Sequence, residues 1–250
     1  MSKFESDYKK LLRNVLTHGT QVKNRTGVNA ITSFGKELTI DLRLGFPIVT
    51  GKKIFFDKGY HEYRWIREGG TTINYLNQHG ITWWNSYADS KGYLGKTYGY
   101  QMRSFNGEED QLEFAINEIR NKSRRAHITM WNPSDLKDQV LPCCYTGMTF
   151  VRIGDELNLS IDFRSSDIFV GLPYDVIFGA LLLTEVAEHC ELKHCVLKMN
   201  LNNAHIYVNN VIPMKAYLDE AIYKLPKYDS KTKELSKYTH GPYIEATLNV

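Results

Sequence analysis

Long apolar runs are missing from this chain of 250 residues. None approaches the length needed to cross a bilayer, and the opening Met1-Ser-Lys-Phe-Glu5 lacks the apolar core of a secretory signal. A cytoplasmic protein without a membrane partner is therefore expected. Charge of one sign is scarce as well: 31 Lys plus Arg stand against 28 Asp plus Glu, a net charge of +3. That is too weak to imply a nucleic-acid coat. The basic pairs Lys9-Lys10, Lys52-Lys53 and Arg124-Arg125 are short; they suit a small phosphorylated ligand, or simply solvent. Cysteine is limited to four residues, which in such a compartment read as thiols rather than a disulfide framework. Cys190 and Cys195 neighbour His189 and His194, but the spacing fits no zinc pattern. Cys190 instead continues a helical stripe of Val176, Ala180, Leu183 and Ala187, so core packing is expected and no metal.

Repeats, low-complexity tracts and long linkers are also lacking, so nothing marks a boundary. The expectation is one α/β (α+β) domain over residues 1–250 with a single large core. Periodicity predicts a helix over Asp7–Leu16, a strand within Ala30–Leu42, and a helix over Lys53–Arg67 stopped by Gly69-Gly70. Tyr145–Arg152 is strand-like. In Leu157–Arg164 apolar Leu157, Leu159, Ile161 and Phe163 alternate with polar neighbours, a half-buried strand with Arg164 on its polar phase. Pro173 opens a helix running to about Leu192. In the next strand, Val196–Asn209, one phase reads Leu197, Met199 and Leu201, then Asn203, His205 and Tyr207. Such a change from apolar to hydrogen-bonding side chains marks a strand entering a cavity, or an exposed strand end. Lys224–Lys237 reads as a surface excursion.

The chemistry-bearing stretch is Arg164-Ser165-Ser-Asp167-Ile-Phe-Val-Gly171-Leu-Pro-Tyr-Asp175. An arginine, a hydroxyl and two carboxylates across a strand-to-helix junction can hold a phosphate and read the edge of a base. Cys143, after Pro142, offers a nucleophile; alone it is as ordinary as any core cysteine, though Arg124, Arg125 and Arg164 would favour its thiolate. Glu62 lies in His61-Glu62-Tyr63, which lacks the second histidine of a zinc-protease helix and would otherwise be a surface glutamate. Trp83-Trp84 is either core or a stacking wall for a flat ligand.

Set together, the motifs resemble the thymidylate synthase family from one end of the chain to the other. They include Asn24-Arg25-Thr26-Gly27, Gly45-Phe-Pro-Ile-Val-Thr-Gly-Lys52-Lys53, His61-Glu62, Trp84-Asn-Ser-Tyr-Ala-Asp89 and Leu94-Gly-Lys-Thr-Tyr98-Gly-Tyr-Gln-Met-Arg103. Ser123-Arg124-Arg125, Trp131-Asn132, Leu141-Pro142-Cys143, Arg164-Ser165-Ser-Asp167, Gly171-Leu-Pro173, His205-Ile-Tyr207 and the tail from Pro242 to Val250 complete the set. The resemblance implies a large mixed sheet packed with helices, and a homodimer formed sheet to sheet. It implies that Cys143 attacks C6 of a pyrimidine nucleotide, so that C5 captures the one-carbon unit of 5,10-methylenetetrahydrofolate. Glu62 and Tyr98, with water, would manage proton transfers. Arg25, Arg164 and Ser165 would hold the 5′-phosphate, joined by Arg124 and Arg125 of the neighbouring subunit. His205 and Tyr207 would hold the sugar 3′-hydroxyl. On the folate side stand Lys52 for the glutamate tail, Trp84, Asp167 and Gly171 for the pterin, and Val250 in a closing tail.

Three departures matter. Thymidylate synthases carry asparagine where this chain has Asp175. An asparagine amide suits uracil, whereas a carboxyl accepts the 4-amino group of cytosine and favours a proton on N3. Facing uracil O4, a carboxylate would set two acceptors together, at several kcal/mol if desolvated; the plainer role of Asp175 is to stabilise the helix dipole. Cys144 stands where synthases usually have histidine, and Phe163 replaces a common glutamine. Asp175 shifts the resemblance to the phage deoxycytidylate hydroxymethylases, implying 5-hydroxymethyl-dCMP as product in the cytoplasm of an infected bacterium. Reductive methylation of dCMP is the first alternative, since the tail is synthase-like. Conversion of dUMP to dTMP, and a non-catalytic nucleotide- or RNA-binding homologue, are the others.

Overall fold

A computed structural model describes residues 2–249. Its centre is a mixed sheet of seven strands, ordered β1-β2-β7-β5-β4-β3 with β6 paired to β7 beyond the end of β5. The strands are β1 (Thr20–Val22), β2 (Ala30–Asp41), β3 (His127–Thr129), β4 (Tyr145–Ile153), β5 (Glu156–Phe163), β6 (Ser166–Asp167) and β7 (Lys193–Tyr207). β2 runs antiparallel to β7, and β4 antiparallel to β5. β5 and β6 are both parallel to β7, which requires the long crossover through α6 (Leu172–His189). The other helices are α1 (Lys3–His18), α2 (Phe56–Arg67), α3 (Asn74–Gln78), α4 (Tyr98–Arg103), α5 (Gln111–Arg120) and α7 (Val211–Asp219). No helix among the described residues is long and apolar enough to cross a membrane.

α6 is the core helix. It buries Val176, Ile177, Phe178, Ala180 and Leu181 through Leu183 almost all round its circumference, as a helix with little polar face must. Each such side chain contributes about 1.5–3 kcal/mol of transfer free energy. A β-carbon at Gly179 would lie 3.0 Å from Ile161 and Leu197, so glycine lets the helix settle on β5 and β7. Glu5 on α1 is fully buried, yet its carboxylate accepts from the Thr50 and Gly51 amides at 2.8 and 2.7 Å, the Thr50 hydroxyl, and the Tyr217 hydroxyl at 2.8 Å. This buried anchor fixes the loop that carries Lys52.

Helix α2 begins at Phe56 rather than Lys53; Ile54 lies before the first turn, its amide donating to the Tyr238 hydroxyl at 3.0 Å instead of joining a helix. Cys190 is only half-buried, because it is the C-cap of α6 rather than a continuation of its stripe. Lys224–Lys237 includes a small hairpin, β8 (Lys227–Asp229) with β9 (Glu234–Ser236).

The alternation of β7 does not run through unbroken. Leu197, Met199 and Leu201 are buried, Asn202 and Asn203 are both exposed, and the buried phase resumes at Ala204 and Ile206. Opposite this point on β2, Gly35 has φ +65, a left-handed conformation that glycine adopts without strain. On the other side, β5 ends at Phe163 opposite Leu201 and pairing resumes with Ser166 opposite Ala204. Arg164 and Ser165 therefore leave the pairing with β7 beside Asn202 and Asn203, and the sheet opens on that side while Asn203 stays paired with Phe34 of β2.

Candidate active site

Cys143 lies in the loop before β4 and is fully buried. Two structures grip that loop. From the start of α4, the Tyr98 hydroxyl accepts from the Cys144 amide at 2.8 Å, and the Thr97 hydroxyl donates to the Leu141 carbonyl at 3.1 Å and also meets the Cys143 thiol. From the break between β5 and β6, the Arg164 guanidinium donates to the Cys143 carbonyl at 2.9 Å and to the Pro142 carbonyl at 2.6 Å. Arg164 also lies 5.4 Å from the centre of the Trp131 ring, within cation–π range. Burial pushes the Cys143 thiol up to about 12, partly opposed by Thr97 and Arg164.

Glu62 projects from α2, where its Oε1 accepts from the indole nitrogens of Trp83 and Trp84 at 2.8 and 2.6 Å. Burial raises its carboxyl and the two indoles oppose that rise. Asp175, in the first turn of α6, has no such support. Burial first, then the Glu62 and Asp167 carboxyls, hold it well above the usual carboxylate range. Glu62, with its two donors, is thus the carboxyl that ionises first, and Asp175 retains its proton longer. Gly59 sets this pairing: a β-carbon there would lie 3.2 Å from Ile177, so α2 and α6 approach closely and Glu62, one turn on, faces α6.

Both carboxyls line a cleft of about 380 Å³, with Lys52, Gly171, Tyr174 and Trp83 in its walls and Tyr243, Ile244, Ala246 and Leu248 from the tail across it. Cys143 and Cys144 are not among the residues that line this cleft, but Cys144 lies near enough to Asp175 for their charges to interact. A larger cavity, about 870 Å³, lies between the end of α6 and the Lys224–Thr239 excursion, away from Cys143 and the paired carboxyls.

Further along the opened sheet edge, Asp167 and His205 face each other across β6 and β7. Asp167 Oδ1 accepts from the Phe169 and Val170 amides at 3.0 and 3.1 Å, while Oδ2 is buried without a partner among the described residues. Burial raises the Asp167 carboxyl and lowers His205, and the attraction between them opposes both shifts. Tyr207 closes β7 with its ring 5.3 Å from His205, and Thr26 and Arg25 lie beside its hydroxyl. Arg25 itself is exposed, in a turn set by Asn24, whose Oδ1 accepts from the Thr26 amide at 2.9 Å. Ser165 is half-buried next to Arg164.

Not every expected residue joins this group. Arg124 and Arg125 are exposed before the edge strand β3, and Arg125 is paired with Glu118 at 3.0 Å. Trp84 is buried beneath Glu62 against Trp65 and Tyr98, and Trp83 supplies the cleft wall instead. Lys52 lines the cleft but its ammonium turns inward, donating to the Phe169 carbonyl at 3.1 Å; burial lowers it to about 8. Val250 lies outside the described residues. Thr97, Tyr174 and Tyr243 lie inside the quoted motifs without having been singled out as site residues, and Tyr145, at the start of a strand-like run, lies in none of them. Among the described residues no group of three or more His, Cys, Asp or Glu side chains is gathered as a metal site.

Residues 6–245 match the family model described as thymidylate synthase. The chain is 36% identical over 261 residues to a thymidylate synthase of Buchnera aphidicola subsp. Baizongia pistaciae (strain Bp), spanning 97% of this chain and 99% of that protein.

Proposed function

This chain belongs to the thymidylate synthase family, and from that premise we propose that its substrate is dCMP. The family consists of one-carbon transferases that use methylenetetrahydrofolate to methylate C5 of a pyrimidine nucleotide. What is particular to this chain is the base. The observation that carries the reading is Asp175: a carboxyl that lines the cleft together with Glu62, held well above the usual carboxylate range by burial and by the Glu62 and Asp167 carboxyls. A neutral carboxyl is the complement of cytosine. Its hydroxyl donates to N3 and its carbonyl accepts from the 4-amino group. Turned about, the same neutral carboxyl can accept from N3–H of uracil and donate to O4, so the bases are separated by the proton transfer: cytosine N3 can take the proton of Asp175, whereas uracil N3 already carries one.

The proposed course starts with the Cys143 thiol giving up its proton to water as its sulfur bonds to C6 of the base. The electron pair of the C5–C6 bond moves toward the C4–N3 edge, where the Asp175 proton passes to N3, and C5 becomes nucleophilic. C5 then bonds to the one-carbon unit of methylenetetrahydrofolate as one of the two carbon–nitrogen bonds of that unit breaks. Glu62 takes part in removing the C5 proton, and loss of tetrahydrofolate leaves an exocyclic methylene at C5. Water addition gives 5-hydroxymethyl-dCMP, the product expected of the cytidylate branch. Elimination of Cys143, with the N3 proton returning to Asp175, then restores the C5–C6 double bond.

One observation favours a second outcome. The tail residues Tyr243, Ile244, Ala246 and Leu248 already lie in the cleft wall, and a closed, water-poor site lets tetrahydrofolate deliver hydride instead, giving 5-methyl-dCMP and dihydrofolate. Arg164 and Ser165 would hold the phosphate, with Arg25 at its margin. Arg124 and Arg125, exposed at the sheet edge, fit a role in a neighbouring subunit. His205 and Tyr207 would meet the sugar, and Lys52, Trp84, Asp167, Gly171 and Val250 the folate.

The test is incubation of the protein with methylenetetrahydrofolate and either dCMP or dUMP, with products identified by mass. A product from dCMP is expected; turnover of dUMP alone overturns the reading of Asp175. Dihydrofolate formed in step with product marks methylation, and its absence marks hydroxymethylation. Binding of nucleotide without release of the C5 proton would instead mark a non-catalytic homologue.

A further inference from the structure

Tyr145 opens β4 directly after Cys143 and Cys144, and its hydroxyl is buried without a hydrogen-bond partner among the described residues. An unpaired buried hydroxyl is unfavourable, and its retention points to a partner supplied in another state of the site. The ring is held firmly. It lies nearly parallel to Phe178 at 5.1 Å, against Tyr98 at 4.8 Å, and edge-on to Phe163 at 5.6 Å. Phe178 follows Asp175 by one turn of α6, so the face on which the ring rests is the face that carries Asp175. Around the hydroxyl stand Asp175 on α6, Cys143 and Cys144 on the preceding loop, and Glu62 on α2, with Asp175 the strongest charged neighbour. Asp175 also feels Asp167, at β6. Glu62 already accepts from two indoles; among the described residues Asp175 has no hydrogen-bond donor. A hydroxyl without a partner and a carboxyl without a donor lie on the same side of the core.

We infer that Tyr145 is the positioning residue of Asp175: when Asp175 passes its proton to N3 of a bound cytosine, the Tyr145 hydroxyl donates a hydrogen bond to the carboxylate so formed. The phenol keeps its own proton, and only the Asp175 proton changes place. This role rests on the dCMP reading, but the coupling of the two side chains can be measured without it. It also gives Phe163 a function, since an aromatic edge there fixes the Tyr145 ring where a polar side chain could compete for its hydroxyl.

The experiment combines Tyr145→Phe, Asp175→Asn and the double variant, with nucleotide affinity and kcat/KM measured against pH for dCMP and dUMP. Tyr145→Phe is expected to raise the thermal stability of the nucleotide-free protein, because it removes an unpaired buried hydroxyl. It is expected to lower kcat/KM for dCMP by about 10- to 100-fold, as for a hydrogen bond to a charged group. The alkaline limb of the dCMP profile should move upward by about one pH unit, because the carboxylate loses its donor. In the Asp175→Asn background the same change should alter affinity by no more than about twofold. A tyrosine that merely packs would weaken dCMP and dUMP alike in both backgrounds and leave the pH profile in place, which overturns the inference. Should the wild type prefer dUMP, the substrate reading falls. A pH shift of nucleotide binding that disappears with Asp175→Asn would still support the Tyr145–Asp175 coupling.

Discussion

Arg164 is tied to Cys143 through the backbone: its guanidinium Nε donates to the Cys143 carbonyl oxygen at 2.9 Å, while a second donor takes the Pro142 carbonyl. The arginine that would hold the nucleotide phosphate therefore also sets the position of Cys143, the proposed nucleophile. A ligand that pulls on the guanidinium acts directly on the loop that carries the thiol.

The state of that thiol is the first prediction. With burial pushing it up to about 12, Cys143 rests as a thiol, and only its small thiolate fraction reacts with an alkylating agent. Alkylation of Cys143 by iodoacetamide, followed by peptide mass spectrometry to separate it from the other cysteines, should accelerate about tenfold per pH unit between about pH 7 and 10. A rate independent of pH would mean a preformed thiolate. Arg164→Lys cannot reproduce the two-pronged grip, and turnover should fall about a hundredfold with a raised nucleotide KM.

Asp175→Asn is the second. An amide can donate to O4 of uracil and accept from N3–H, so the ratio of kcat/KM for dCMP over dUMP should fall by at least about a hundredfold. The same substitution has a stability signature. The Asp175 carboxyl is raised, so its contribution to folding is full at pH values below the unfolded carboxyl range and is lost as pH rises through its folded value. Asn does not titrate. Thermal denaturation without nucleotide should show Asp175→Asn gaining on the wild type between pH 5 and pH 8; a constant difference would place Asp175 outside the buried, uncompensated setting described above.

Much of this arrangement is legible in the sequence, for identifiable reasons. The alternation of β5 and the proline at the start of α6 are local signals, and they mark the two elements that bracket Arg164 and Asp175. Glu62, Cys143 and Asp167 stood out through motifs. The Tyr145 hydroxyl did not, because its significance lies in what fails to meet it, and that depends on how α2, α4 and α6 converge. Trp83 and Trp84 carry the same signal in sequence, and which one faces the cleft is decided by the rotation of a short non-helical segment beneath Glu62. The phase inversion of β7 escaped a period-two reading because Gly35, on a strand distant in sequence, sits opposite the break.

Lys52 carries the third prediction. Burial lowers its ammonium from 10.5 to about 8, with Asp167 and Glu5 opposing. A base whose folded value is depressed penalises folding fully below that value, and the penalty is relieved as pH rises from about 8 toward 10.5. Lys52→Met should therefore be more stable than the wild type at pH 7, by up to about 3 kcal/mol, and the advantage should shrink to nothing near pH 10.5. Chemical denaturation at several pH values measures it. The methionine should also weaken binding of an anionic folate, and an unchanged folate KM would remove Lys52 from that side of the cleft.

The tail supplies the last prediction. Two points hold it across the cleft. The Gly241 amide donates to the Thr50 carbonyl at 2.8 Å and the Lys53 amide to the Pro242 carbonyl at 2.9 Å, which anchors its root to the loop that Glu5 fixes. Near its end, Asn210 donates to the Thr247 carbonyl at 2.8 Å and accepts from the Thr247 amide at 2.9 Å, a reciprocal latch just beyond the end of β7. Asn210→Ala removes both bonds of the latch while leaving the root and the apolar contacts of Tyr243, Ile244 and Leu248. Each lost bond is worth about 0.5–1.5 kcal/mol, enough to raise the open population about tenfold or more. Water then reaches the C5 methylene before hydride does. Turnover should fall about tenfold, and the ratio of hydroxymethylated to methylated nucleotide should rise, whichever pyrimidine is accepted. If both turnover and the product ratio stay at wild-type values, the tail does not control access of water, and the choice between the two products must be made deeper in the cleft, at Glu62 and its two indoles.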